Sequence, residues 1–373
     1  MIPHTPLDVS RLSAAAQRAL GPGPGRTMAA RGMLPLPPAD QICVLYQLAI
    51  EGDPLIAQSA RLTASGLPEK LVAGTLSDPT TDPRVLDYFG QLAIDKPAVF
   101  DTIVLNPATA DPTIATLAAK AGAREIDLIA QNEQRLLRHP EIITAMYMNR
   151  RARMSTIDRV VELAVRNHVR VPGLAAWDEV ARALTGNTTG NRPASPDADA
   201  VFAQAVEMLT GDDSVLTVGD ADQVIPDEEH VAPPPTGPEK DVQINKLSIP
   251  QKIRMATLGN AFARGILVRD PIRMVAVAAI KSPGVTEIEA ARYAGNPGLA
   301  EDVIRYIATR REWTKLYGIK FSLCKNPKAP VAETTRMLPF LRAKDLATLS
   351  KSRGIPSALA AQARKLMLQR RGT

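Results

Sequence analysis

The chain has 373 residues, with 45 Lys and Arg against 39 Asp and Glu, 31 prolines, two cysteines and 4% aromatic residues. Its length exceeds a usual domain of about 100–150 residues, and its 45% hydrophobic content excludes wholesale disorder. Cys43 and Cys324 are too few and too far apart for a disulfide framework or a cysteine-rich zinc site.

The net charge of +6 is unevenly placed: residues 1–185 balance to zero, 186–239 carry −10 and 240–373 carry +16. A neutral block, an acidic strip and a basic block following one another point to a polyanion-binding module or an internal electrostatic contact. The N-terminus lacks a basic stretch followed by an apolar core, and no run of 18 apolar residues occurs. A cytoplasmic chain without membrane insertion is expected.

Residues 1–40, with seven prolines and the stretch Gly21-Pro22-Gly23-Pro24-Gly25, read as a flexible arm. One short helix is expected there, from about Leu7 to Leu20. Residues 41–185 read as consecutive short helices with apolar residues at helical spacing. A polar residue followed by proline recurs at Asp53-Pro54, Asp82-Pro83 and Asp111-Pro112. An N-cap carboxylate with proline in the first helical position explains such starts, because that proline's missing N–H would have no partner in a helix. Residues 186–239 hold seven prolines and read as a disordered acidic linker around one helix, Ala200–Leu209. Residues 240–373 resume the helical pattern. Thr286 and Glu289 fit a capping box, and Asn296-Pro297 and Asn326-Pro327 read as further helix starts.

The prolines Pro79, Pro107 and Pro140, and again Pro297, Pro327 and Pro356, fall about 30 residues apart, the length of two short helices with their turns. The expected fold is therefore all-α: α-solenoid-like helical repeats in two blocks, 41–185 and 240–373, joined by the acidic linker. These Asn-Pro and Ser-Pro steps, followed by short Leu/Ala helices, resemble bacterial HEAT-like and leucine-rich-repeat-variant proteins. That resemblance implies a scaffold and names no catalytic residue. The chain lacks the cysteine cluster of the iron–sulfur members of the variant class.

No phosphate-binding Gly-x-x-x-x-Gly-Lys loop, no His-Glu-x-x-His and no Gly-x-Ser-x-Gly occurs. The histidines, His4, His139, His168 and His230, are scattered. A non-enzymatic protein without cofactor or metal is expected, binding a protein partner through its helical surfaces.

The alternative is a regulator that binds nucleic acid or another polyanion through the basic block, with the acidic linker as a possible internal competitor. Its candidate residues are Arg305, Arg310, Arg311, Lys315, Lys320, Lys325 and Lys328, interleaved with Trp313, Tyr317 and Phe321. The three aromatics, at i, i+4 and i+8, are expected on the buried face of one helix. A weaker candidate cluster is Arg150, Arg151 and Arg153.

Overall fold

A computed structural model describes residues 2–185, 196–209, 244 and 246–371. Among these residues there are 23 α-helices, a few 3₁₀ turns and no strand. The chain divides into two compact units, Met1–Gly173 and Leu174–Thr373. Much of the proposed linker, and His230 with it, lies outside the described residues.

The first unit holds α1 (Ala14–Leu20), α2 (Pro24–Ala30), α3 (Pro38–Ala49), α4 (Pro54–Gly66), α5 (Glu69–Leu76) and α6 (Pro83–Gln91). It continues with α7 (Pro97–Leu105), α8 (Asp111–Ala118), α9 (Ala123–Ile129), α10 (Glu133–Arg138), α11 (Glu141–Met148) and α12 (Met154–Arg166). The second holds α13 (Trp177–Thr185), α14 (Pro196–Leu209), α15 (Ile249–Leu258), α16 (Ala261–Leu267), α17 (Arg273–Lys281) and α18 (Glu287–Ala294). It ends with α19 (Glu301–Thr309), α20 (Tyr317–Lys325), α21 (Val331–Met337), α22 (Ala343–Lys351) and α23 (Ser357–Arg371).

Helices stack on the helix two places further along. In the first unit α1, α3, α5, α7 and α9 form one such row. In the second, α13, α15, α17, α19, α21 and α23 form one row and α18, α20 and α22 the other. This two-row stacking is that of an α-solenoid, and it explains the small residues of the core: Ala276, Ala279, Ala290, Ala291 and Ala294 are fully buried or nearly so where rows meet.

The N-terminal segment is held in place rather than free. The buried Asp87 carboxylate on α6 accepts from Thr113 and Gln91 and lies 2.7 Å from the His4 ring. Tyr46 donates to the Thr5 carbonyl, and Arg84 to the carbonyl of Pro6. Leu7, Ala16, Ala19 and Leu20 are buried, and α1 and α2 pack on α3 and α4. Pro24 opens α2 after Gly23, whose φ of 123° lies where glycine is favoured. Helix α13, placed at the end of the first block by sequence reading, packs instead on α15 and α17, and its buried Glu179 pairs with Lys281 of α17 at 3.1 Å.

The polar residue–proline steps serve two purposes. Asp53 and Asp82 are N-caps as expected, accepting from Leu55 and Arg84. Asn106, Asn296 and Asn326 do the opposite: they end helices or sit just beyond them, and each side-chain carbonyl accepts the N–H two residues on. Asn106 and Asn326 are also buried, and their amides reach back one repeat. Asn106 donates to the Leu76 and Asp78 carbonyls at 2.7 and 2.9 Å, at the end of α5. Asn326 donates to Ala294 and Asn296 at 2.8 and 3.3 Å, at the end of α18. Asn149, which ends α11 with no proline after it, makes the same pair with Ala118 and Ala121 at 2.8 and 2.9 Å. Each asparagine thus satisfies carbonyls that the end of an earlier helix leaves without partners.

A buried ion pair ties α16 to α18. Arg264 meets Glu289 through two bonds of 3.0 Å and donates to the Gly259 carbonyl at 2.8 Å. Glu289 also closes the expected capping box with Thr286. A Cβ on Gly284 would stand 2.7 Å from the Arg264 guanidinium, so a side chain there would have to displace that guanidinium. Removing one partner strands a buried charge. Glu289→Ala is expected to lower the stability of the second unit by about 3–5 kcal/mol in chemical denaturation; a loss below about 1 kcal/mol would show that the pair is not buried as described.

Candidate anion-binding groove

The end of α19 is set by Trp313. Its indole is buried in a 3₁₀ turn, Trp313–Lys315, edge-on to Tyr306 at 6.0 Å. Arg310 lies over the indole at 5.0 Å and donates to the Tyr306 hydroxyl at 2.7 Å. Leu316 is extended, with φ −73° and ψ 132°, and α20 begins after it. Trp313, Tyr317 and Phe321 therefore do not share one helix, in contrast to the sequence expectation. Burying Trp313 against Tyr306 takes precedence over continuing the helical register.

This break opens a groove of about 300 Å³ between the end of α19, α20 and α21. Arg311, Lys320 and Arg336 line it, with Thr309, Thr314, Met337 and Phe340; among the described residues Glu333 is its one carboxylate. Glu333 is engaged by Arg336 at 3.3 Å. The two threonine hydroxyls donate to helix carbonyls, Thr309 to Arg305 and Thr314 to Arg310. The donors left to face a ligand are cationic. Among the described residues Arg311, Lys315 and Lys320 have no carboxylate partner.

Phe340 stands at the rim, 67% exposed. Its 3₁₀ turn, Leu338–Phe340, is fixed by the buried Leu338 and Leu341 and by Arg370, which donates to the Leu341 and Pro339 carbonyls. The Lys320 ammonium lies 5.1 Å from the ring centroid. Beside the turn, Tyr317 bonds Asp345, and the Arg342 guanidinium lies over its ring at 4.6 Å. Burial and the Asp345 carboxylate hold the Tyr317 hydroxyl above its ordinary pKa.

Of the seven cations singled out in the basic block, Arg311 and Lys320 meet at the groove, and Lys315 is exposed on the adjoining turn. The others are engaged elsewhere. Arg305 pairs with Glu301, Arg310 stacks on Trp313, Lys325 lies over Phe321 and Lys328 donates to the Leu299 carbonyl. Arg336 and Phe340 belong to the groove without having been singled out. The Leu338 and Leu341 anchors around Phe340 were the one sequence signal, an apolar run interrupted by Pro339. Arg150, Arg151 and Arg153 straddle the turn between α11 and α12; Arg153 pairs with Asp127, and the Arg151 N–H is held by Asn149.

A second cleft, about 580 Å³, lies in the first unit between residues 7–12, α3 and the 78–84 turn. Its carboxylates are spent locally: Asp8 on Ser10, Asp78 on Thr80 and Asp82 on Arg84. Cys43 is on its wall, and burial pushes that thiol up to about 11 from an ordinary 9.0. Burial pushes Cys324 up to about 12. No group of three or more His, Cys, Asp or Glu able to hold a metal ion occurs among the described residues, and no described helix is long and apolar enough to cross a membrane.

Comparison with family models, with curated proteins and with solved structures gives no match for this chain.

The two thiols supply a check on the packing around them. They stay protonated in the folded chain where unfolded thiols ionise, so they favour folding below about pH 9 and that contribution is lost as pH rises toward 11–12. At pH 8 Cys43 is expected to react with a thiolate-specific reagent about a hundredfold more slowly in the native chain than in denaturant, with Cys324 slower still. Equal rates in the two states would contradict the burial.

Proposed function

We propose that the chain is a non-enzymatic helical-repeat binding protein whose second unit takes an anionic partner in the groove between α19, α20 and α21. The observation that carries this reading is the convergence of Arg311, Lys320 and Arg336 on a groove whose one carboxylate, Glu333, is already paired. With Glu333 offsetting only Arg336, Arg311 and Lys320 repel one another, and a bound anion relieves that repulsion.

A partner protein on the first unit is favoured by a separate feature. Leu55 and Leu62, 76% and 67% exposed, lie two turns apart on α4 and offer two apolar contact points, separated by Gln58 and Ser59, for a partner surface. Together the two features describe an adaptor with an apolar contact in one unit and a charged one in the other.

The test is retention of the full chain on immobilised heparin. The wild-type protein is expected to elute at moderate salt, and Arg311→Ala with Lys320→Ala and Arg336→Ala at distinctly lower salt, since each lost anion contact reduces the salt dependence. Elution of the triple variant with the wild type would remove the groove as the anion site.

A further inference from the structure

We propose that the anion taken by this groove is a single-stranded nucleic acid, with one base stacked on Phe340 and the flanking phosphates on Arg311, Lys320 and Arg336. This rests on the anion-binding reading above and narrows it to one class of ligand.

Three observations carry it. The first is Phe340. A ring two-thirds exposed on a turn anchored by Leu338, Leu341 and Arg370 adds little to the core, yet it is held out at a fixed place. A rigid aromatic at the edge of a cationic groove is the platform on which unpaired bases stack, and every base has a face that fits it. Duplex bases present only their edges in the grooves and cannot use such a platform.

The second is the placement of charge beside the ring. Lys320 sits 5.1 Å from the ring centroid, and Arg311 and Arg336 line the same groove. Lys315, two residues before α20, and Arg342, over the Tyr317 ring at its first residue, add further cations at that end of the helix. One exposed ring thus stands directly beside several cations, the two kinds of contact that a base and its flanking phosphates require. An acidic peptide would satisfy the cations and leave the ring without a function.

The third is the absence of neutral donors facing the groove. The Thr309 and Thr314 hydroxyls donate to backbone carbonyls, and among the described residues no asparagine or glutamine lines the groove. Bases are told apart by directed bonds to their edges, so a groove of cations, one ring and one carboxylate binds a strand with little regard to sequence.

The test uses the full chain and fluorescence anisotropy with labelled 20-mers of thymidylate, a 20-mer abasic strand of the same charge, a 20-base-pair duplex and polyglutamate of matched charge. The thymidylate strand is expected to bind about tenfold more tightly than the abasic strand, the size of one stacking contact. Phe340→Ala, an exposed position whose loss leaves the core intact, is expected to abolish that tenfold preference while leaving abasic binding unchanged. Exchanging thymidylate for cytidylate is expected to change affinity by less than about threefold. Equal binding of thymidylate and abasic strands, or an equal loss on both in Phe340→Ala, would overturn the proposal while leaving the anion site standing. Tighter binding of the duplex or of polyglutamate would reassign the site to that partner. Failure of all four probes to bind would instead overturn the anion-binding reading itself.

Discussion

The buried asparagine that ends a helix is the interaction on which the stacking depends. A helix ends with carbonyls that no later N–H can reach, and in a stack of short helices many of these ends are buried. Asn106, Asn149 and Asn326 supply the missing donors from the next repeat, each amide bridging two carbonyls some 30 residues upstream. The same side chain uses its oxygen to turn its own chain toward the following helix. One residue thereby closes a helix, sets the exit direction and fixes the distance to the preceding repeat. Aspartate cannot replace it, having no hydrogen to donate. Asp78 and Asp270 stand at comparable turns, and each accepts the N–H two residues on; Asp270 reaches an earlier helix only by accepting from the Lys252 ammonium at 2.8 Å, not by donating to its carbonyls.

The groove is a consequence of this stacking. Asn326 anchors the end of α20 on α18, which fixes the helix that carries Lys320. At the other end of α20 the buried Trp313 forces a break, and the space that a continuous helix would fill is left open to Arg311 and Lys320. Charge is apportioned accordingly. Cations that lie along a helix beside an acid four residues away, such as Arg305 with Glu301, are paired and contribute little. Those at the break have no such neighbour and face the opening.

Local features of this fold are legible in the sequence, and features that join distant segments are not. The N-caps at Asp53 and Asp82 and the capping box of Thr286 and Glu289 depend on residues within three positions of each other, so their chemistry can be read directly. The asparagine bridges leave only an indirect trace in the proline spacing of about 30 residues, because the carbonyls they bind carry no side-chain signature. The N-terminal 40 residues look flexible from their prolines and glycines, yet His4 meets Asp87 across 83 positions and Leu7 reaches the core. Helical spacing places Trp313, Tyr317 and Phe321 on one face, but the burial of Trp313 beside Tyr306 breaks the helix between them. The cationic character of the groove is visible in composition; its membership is not, since Arg336 joins it from α21 and Phe340 through a turn whose position is set by α23.

The most direct test is hydrogen–deuterium exchange of Asn326→Asp at neutral pH. The substitution keeps the size of the side chain and its acceptor for the Lys328 N–H, and replaces the amide facing two carbonyls with a carboxylate. The account predicts that exchange in α18 and α20 quickens by at least about tenfold, as expected when a buried donor is exchanged for an unpaired charge, with residues 1–173 unchanged. Unaltered protection of α18 and α20 would contradict the claim that these amides hold the repeats together.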